Sequence, residues 1–216
     1  MIGTNWFFVA LAAHARQGAG ELRTWLTGSH TTEFFHQYPI SLSALASVPQ
    51  PDGVGVWAEC GKAIAFMLEY DTGSEHLAQL ARKLDSYSRL AEVMSRYQQQ
   101  APMLLFCFLT QRREQTARRA LAASPDSLSL SIATAAIDPQ VTCPALQVWL
   151  PLHGSGRQVR LIDLGSAVPD LASLARERGS CTDKRATGPT SPRRTPSEPP
   201  RPQPASSRAC LRRSTS

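Results

Sequence analysis

Seven consecutive apolar residues, Met103 to Leu109, stand between Pro102 and a basic stretch. Such a run reads as a strand buried on both faces, which requires a parallel or mixed sheet with helices outside it. The flanking segments supply those helices. From Glu75 to Tyr97, Leu77, Leu80, Leu84, Tyr87, Ala91 and Met94 recur at three and four residues and form one apolar stripe. Thr72 or Ser74 is placed to cap this helix. Arg112 to Ala123 reads as a further helix and Leu128 to Ile137 as a strand. Gln147 to Leu152 and Gln158 to Leu164 flank a turn at His153 to Gly156, as a hairpin or an edge excursion. The N-terminal Asn5 to Arg16 is helical, with Phe7, Leu11 and Ala15 on one face. Trp25 to Phe35 reads as an amphipathic stretch or loop. The order helix, hairpin, long helix, strand, helix, strand predicts an α/β domain of three layers, a mixed β-sheet flanked by helices.

The hairpin of that series carries the chemistry. Val54, Val56 and Ala58 alternate along one arm, Ala63 to Leu68 form the other, and Glu59 to Lys62 hold the turn. With Cys60 and Gly61 as the two loop residues, Glu59 faces Lys62 and, along the same register, Asp52 faces Glu69. Asp71, two residues on, points the same way as Glu69. Three carboxylates converging on one face repel, and a hard divalent cation such as Mg²⁺ relieves the repulsion. Asp52, Glu69 and Asp71 are therefore candidate metal ligands. A three-residue turn or a bulge would send Asp52 to the other face, and the competing reading makes Asp52 a turn residue and Glu69 and Asp71 a charged strand end.

Charge is divided along the chain. The whole carries +6, but residues 176–216 hold ten Lys/Arg against three Asp/Glu, and residues 1–175 hold thirteen against fourteen. The basic excess thus belongs to the last forty-one residues, which also contain seven of the sixteen prolines and no aromatic residue. That composition predicts a disordered tail. It reads either as a basic arm on phosphates or as an extension without a function, of the kind a shifted reading frame produces. Five widely spaced cysteines show no zinc or redox spacing and suit a reducing, cytoplasmic setting. The apolar Trp6 to Ala13 lacks a preceding Lys or Arg and is too short to span a bilayer, so neither a signal peptide nor a membrane role is expected. Arg112, Arg113, Arg118 and Arg119 lie on one predicted helix, as phosphate contacts or as ordinary helix solvation. No G-x-S-x-G, H-E-x-x-H or dinucleotide fingerprint is present.

Asp52, Glu69 and the helix after them resemble the metal-dependent nucleases of the PD-(D/E)xK kind, in which an Asp and a Glu hold Mg²⁺ and a Lys two residues beyond the Glu helps activate water. The fold this resemblance implies is restriction-endonuclease-like. Here the lysine position holds Asp71, and Lys83 on the following helix is the substitute; its competing reading is a solvated helix flank. A second resemblance covers more of the chain. Asn5 to Ala12, Pro51-Asp52-Gly53-Val54-Gly55, Leu68-Glu69-Tyr70-Asp71-Thr72-Gly73 and Lys83-Leu84-Asp85-x-Tyr87 are similar to the replication-relaxation family of actinobacteria, from about residue 2 to 165. That resemblance implies a role in plasmid or mobile-element replication and DNA relaxation. Longer members carry a winged helix upstream; this chain starts inside the pattern, and a truncated or frameshifted copy is one expectation.

The expected organisation is an N-terminal helical segment over 1–50, the remnant of a longer region, a nuclease-like domain over 51–165 and the tail over 176–216. The expected partner is DNA, with replication or mobile-element proteins. The expected catalytic set is Asp52, Glu69, Asp71 and Lys83 around Mg²⁺, acting as an endonuclease or nickase if the protein is an enzyme. The alternatives are a non-catalytic interaction domain and a copy without activity.

Overall fold

The computed structural model describes residues 2–38, 49–73, 76–154 and 156–165. The tail predicted to be disordered lies outside them, as does the capping candidate Ser74. Six strands form one sheet in the order β1 to β6: β1 (Glu21–Thr27), β2 (Gly53–Glu59), β3 (Lys62–Asp71), β4 (Met103–Phe108), β5 (Ile132–Ala136) and β6 (Leu150–Pro151). The middle of the sheet, β3-β4-β5, is parallel; β1-β2-β3 and β5-β6 are antiparallel. Among the described residues three α-helices accompany it: α1 (Ile2–Arg16), α2 (Leu77–Arg96) and α3 (Gln111–Ala123). The mixed three-layer α/β architecture expected from the Met103–Leu109 run is present, and every residue of β4 is buried.

Each face of the sheet has its own core. Val54, Val56, Ala65, Met67, Leu104, Phe106 and Phe108 pack against Leu80, Leu84, Tyr87 and Met94 of α2 and Ala117 and Leu121 of α3. Ile64, Phe66, Leu68, Leu105 and Cys107 face the other way, onto Phe7, Phe8 and Leu11 of α1 and onto Trp149 and Leu161. Alternation along β3 thus sends even-numbered residues to α1 and odd-numbered residues to α2 and α3. Cys107 is a buried small hydrophobe, as its setting in the apolar run implies.

The hairpin register is the predicted one. Glu59 pairs with Lys62 and the ladder continues to Gly53 opposite Leu68. Cys60 and Gly61 both take positive φ, 50° and 76°. Two left-handed loop residues match the right-handed twist of the flanking strands, which is why so short a loop closes here. At Gly55 the constraint is space: a Cβ would sit 2.5 Å from Cζ of Phe66 and 2.9 Å from Cε1 of Phe8. The missing side chain lets α1 settle directly on β2.

Several local expectations need correction. The segment around Trp25 is not a loop or amphipathic helix. It is edge strand β1, followed by a 3-10 helix at Gly28–Gln37. It lies at the sheet edge, where exposed and half-buried residues alternate and none is fully buried, with Trp25 41% exposed. α2 begins at Leu77 with His76 as its N-cap, so Thr72 does not cap it. The strand expected over 128–137 is shorter, because Pro125–Ser129 forms a 3-10 turn before β5. Of the two C-terminal arms, the first contributes only β6. The second makes a single bridge, Trp149 to Val159, and then a 3-10 helix at Leu161–Leu164. No helix among the described residues is long and apolar enough to cross a membrane.

Candidate functional site

A cluster of buried polar side chains lies where β3 ends. Odd-numbered β3 residues face α2 and α3, so after Ala65 and Met67 the same face receives Glu69 and Asp71. Both are buried, 3% and 4% exposed. Buried carboxylates need partners, and each has its own.

Glu69 is held from α2. Lys83 Nζ lies 2.7 Å from Oε2, and the Tyr87 hydroxyl donates a short hydrogen bond to Oε1. Lys83 and Tyr87 are four residues apart and so share one helix face. The geometry follows from chain reversal. Glu69 is two residues, about 7 Å, back from the end of β3, and Lys83 is six residues, about 9 Å, into the helix running back over it. Burial pushes the Glu69 carboxyl above its ordinary range; the charge and hydrogen bond of Lys83 and the bond from Tyr87 oppose the rise, and the nearby Asp52 charge adds to it.

Asp71 is held from α3. Register places it beside Phe108, the last residue of β4. The chain turns at Thr110, whose Oγ1 accepts the Arg113 N–H and caps α3. Arg113, in the first turn, reaches back to Asp71, with Nε and Nη2 at 2.8 and 2.7 Å from Oδ2. Oδ1 accepts the Gly73 amide at 2.6 Å.

Asp52 immediately precedes β2 and continues the register that sets Gly53 opposite Leu68, which brings it to the Glu69 end of the hairpin. It is exposed, and its Oδ2 accepts the Tyr70 amide at 2.8 Å. Asp52, Glu69 and Lys83 are thus neighbours at one site, with Asp71 beside them but tied to Arg113. Among the described residues no three His, Cys, Asp or Glu side chains are grouped as a metal-binding set.

Residues 1–105 match the model of the replication-relaxation family. Over that span the chain is similar to this family. The replication-relaxation segment contains Asp52, Glu69, Asp71, Lys83 and Tyr87 and ends inside β4; α3 and its arginines follow it. No curated protein matches the chain.

The four arginines of α3 divide by environment. Arg113 is paired with Asp71. Arg118 donates to Thr134 and to the carbonyls of Leu150 and Pro151, fastening β6 to α3, and burial lowers its pKa. Arg112 and Arg119 are exposed. They are seven positions apart in sequence, so they stand about two turns, roughly 10.5 Å, apart on one side of the helix.

Two site residues escape sequence reasoning as partners. Tyr87 belongs to the apolar stripe of α2 by spacing, and only its hydroxyl distinguishes it from the leucines beside it. Arg113 sits among four basic residues with nothing in the sequence to connect it to Asp71, forty-two positions earlier. A usable signal exists for the first: Lys83-x-x-x-Tyr87 puts one cation and one hydroxyl on the same helix face.

Proposed function

We propose that this protein processes DNA during replication of a plasmid or mobile element, and that Asp52, Glu69 and Lys83 form a Mg²⁺-dependent site for cleaving phosphodiesters. The match of residues 1–105 to the replication-relaxation family supports the first part. The single observation carrying the second is the Lys83–Glu69 contact at 2.7 Å. Where Asp71 occupies the lysine position of the nuclease pattern, a lysine from the next helix arrives at the same glutamate.

The donor set suits Mg²⁺, which takes one or two carboxylates and keeps its remaining positions for water and phosphate oxygens. Asp52 and Glu69 would be those two. Mg²⁺ bound there would polarise the phosphate and acidify a coordinated water. In the reaction a water oxygen bonds to phosphorus, one ester P–O bond breaks, and a water proton ends on the departing alkoxide. Lys83 stabilises charge developing on the phosphate oxygens. Asp71 could add a ligand or act as base only by giving up Arg113, so its role here is to fix α3 against β3. Arg112 and Arg119 are the residues of α3 placed to meet phosphates, and such contacts position DNA without reading sequence.

A second reading has an observation of its own. Both oxygens of Glu69 are engaged within the protein, which is how a non-catalytic DNA-binding domain would retain the fold. Nicking of supercoiled plasmid with and without Mg²⁺ separates the two. Mg²⁺-dependent nicking that disappears in the Asp52→Asn, Glu69→Gln double variant supports the nuclease reading. Equal activity in the double variant, or none in the wild type, leaves the binding domain.

A further inference from the structure

The two partners of Glu69 are not equivalent. Tyr87 is 1% exposed and belongs to the core between α2 and the sheet, so its hydroxyl cannot leave Oε1 without repacking. The Lys83 side chain is 33% exposed and rests on the flank of α2. A long, flexible and partly exposed side chain can move its ammonium with less repacking than a buried ring can. One oxygen of Glu69 is therefore anchored by a rigid group and the other by a movable one.

Building on the nuclease reading above, we propose that Tyr87 is the positioning residue of the site and that Lys83 is an exchangeable counter-ion. Glu69 keeps Oε1 on Tyr87 and surrenders its Oε2 contact with Lys83 when it takes up a divalent cation. The displaced ammonium then lies beside the position of the phosphate. With no cation on Glu69, the same lysine supplies the positive charge that the Tyr87 hydroxyl cannot. The arrangement couples two events, cation uptake and release of the phosphate-stabilising cation. It also explains why the lysine can come from a helix flank rather than from the strand, since a strand position two residues beyond Glu69 has less freedom to swing.

The full chain contains only three lysines, Lys62, Lys83 and Lys184, so their side-chain NMR signals can be assigned by single substitutions. Mg²⁺ alone is titrated into the wild-type protein while the lysine Hε–Cε–Nζ signals and the Asp and Glu carboxyl carbons are followed. The proposal expects the Asp52 and Glu69 carboxyls to respond and the Lys83 signal to move with the same midpoint toward that of the exposed Lys62. In parallel, calorimetry on Lys83→Gln at mildly alkaline pH should give Mg²⁺ affinity on the order of tenfold tighter, because a competing positive charge is gone. Tyr87→Phe should weaken affinity. If the carboxyls respond while Lys83 stays fixed, or Lys83→Gln binds no tighter than wild type, the exchange is overturned and the metal site stands. If neither carboxyl responds at any Mg²⁺ concentration, the metal site is overturned and the exchange with it.

Discussion

Arg113→Ala should destabilise the domain by about 2–3 kcal/mol. The Asp71 side chain is 2% exposed and that of Arg113 21%. Both guanidinium contacts, at 2.8 and 2.7 Å, go to one carboxylate oxygen. Removing one partner of a buried pair costs roughly 3–5 kcal/mol, because the other charge is stranded. Partial exposure of Arg113 places the pair at the low end of that range. A second term opposes the loss: Arg113 lies in the first turn of α3, where a cation is disfavoured by about 0.3–1 kcal/mol. For a domain of this size the result is a fall in Tm of about 4–12 °C. Urea unfolding followed by circular dichroism measures it. Asp71→Asn keeps an acceptor for the Gly73 amide but removes the charge, so the Asp71→Asn, Arg113→Ala double variant should recover about 1 kcal/mol relative to the sum of the single losses. A loss below about 1 kcal/mol for Arg113→Ala, or simple additivity in the cycle, would refute a buried pair joining β3 to α3.

Three further outcomes are expected. Because burial raises the Glu69 carboxyl above its ordinary 4.5, the folded protein binds that proton more tightly than the unfolded chain, and this stability is lost as pH rises from 4.5 through the folded value. The stability of wild type relative to Glu69→Gln should therefore fall with pH over that interval, and a flat difference in urea midpoints would show that Glu69 does not titrate as a buried group. Gly55→Ala forces a methyl against two fully buried rings and should cost about 1–3 kcal/mol; a neutral effect in thermal melts would mean α1 does not sit on β2 as described. Deleting residues 176–216 removes a net +7 from a body of net −1, so retention on DNA-cellulose should drop and lose much of its salt dependence; unchanged retention would place the dominant basic face on the domain itself, with Arg112 and Arg119 the first residues to test.

Much of this arrangement is legible in the amino-acid sequence, and the reasons are local. Met103 to Leu109 has no polar interruption, which favours a strand covered on both sides and with it the three-layer fold; Met103–Phe108 forms that strand, and Leu109 beyond its end is exposed. The hairpin register is legible because Cys60-Gly61 closes a two-residue loop and the apolar alternation fixes the faces. From that register Asp52 and Glu69 come to one end of the hairpin. What sequence conceals is pairing at a distance. Asp71 resembles a third ligand when charge repulsion is the only consideration; nothing in its neighbourhood reveals that α3 returns an arginine to it. The α3 arginines look alike in sequence, yet two are committed to internal contacts and two are exposed. β1 is hidden for a different reason. Its residues alternate only between exposed and half-buried, without a buried apolar face to mark it, and it is held by pairing with β2.

The proposed Mg²⁺ site requires Asp52 and Glu69 to share one divalent cation at the end of the hairpin. Crystals of the protein grown with Mn²⁺, which scatters anomalously and takes the same hard oxygen ligands, test it directly. The expected result is one anomalous peak with a carboxylate oxygen from each of Asp52 and Glu69 within about 2.0–2.6 Å. A peak bound elsewhere, or an Asp52 side chain turned to the α1 face of the sheet, would contradict it.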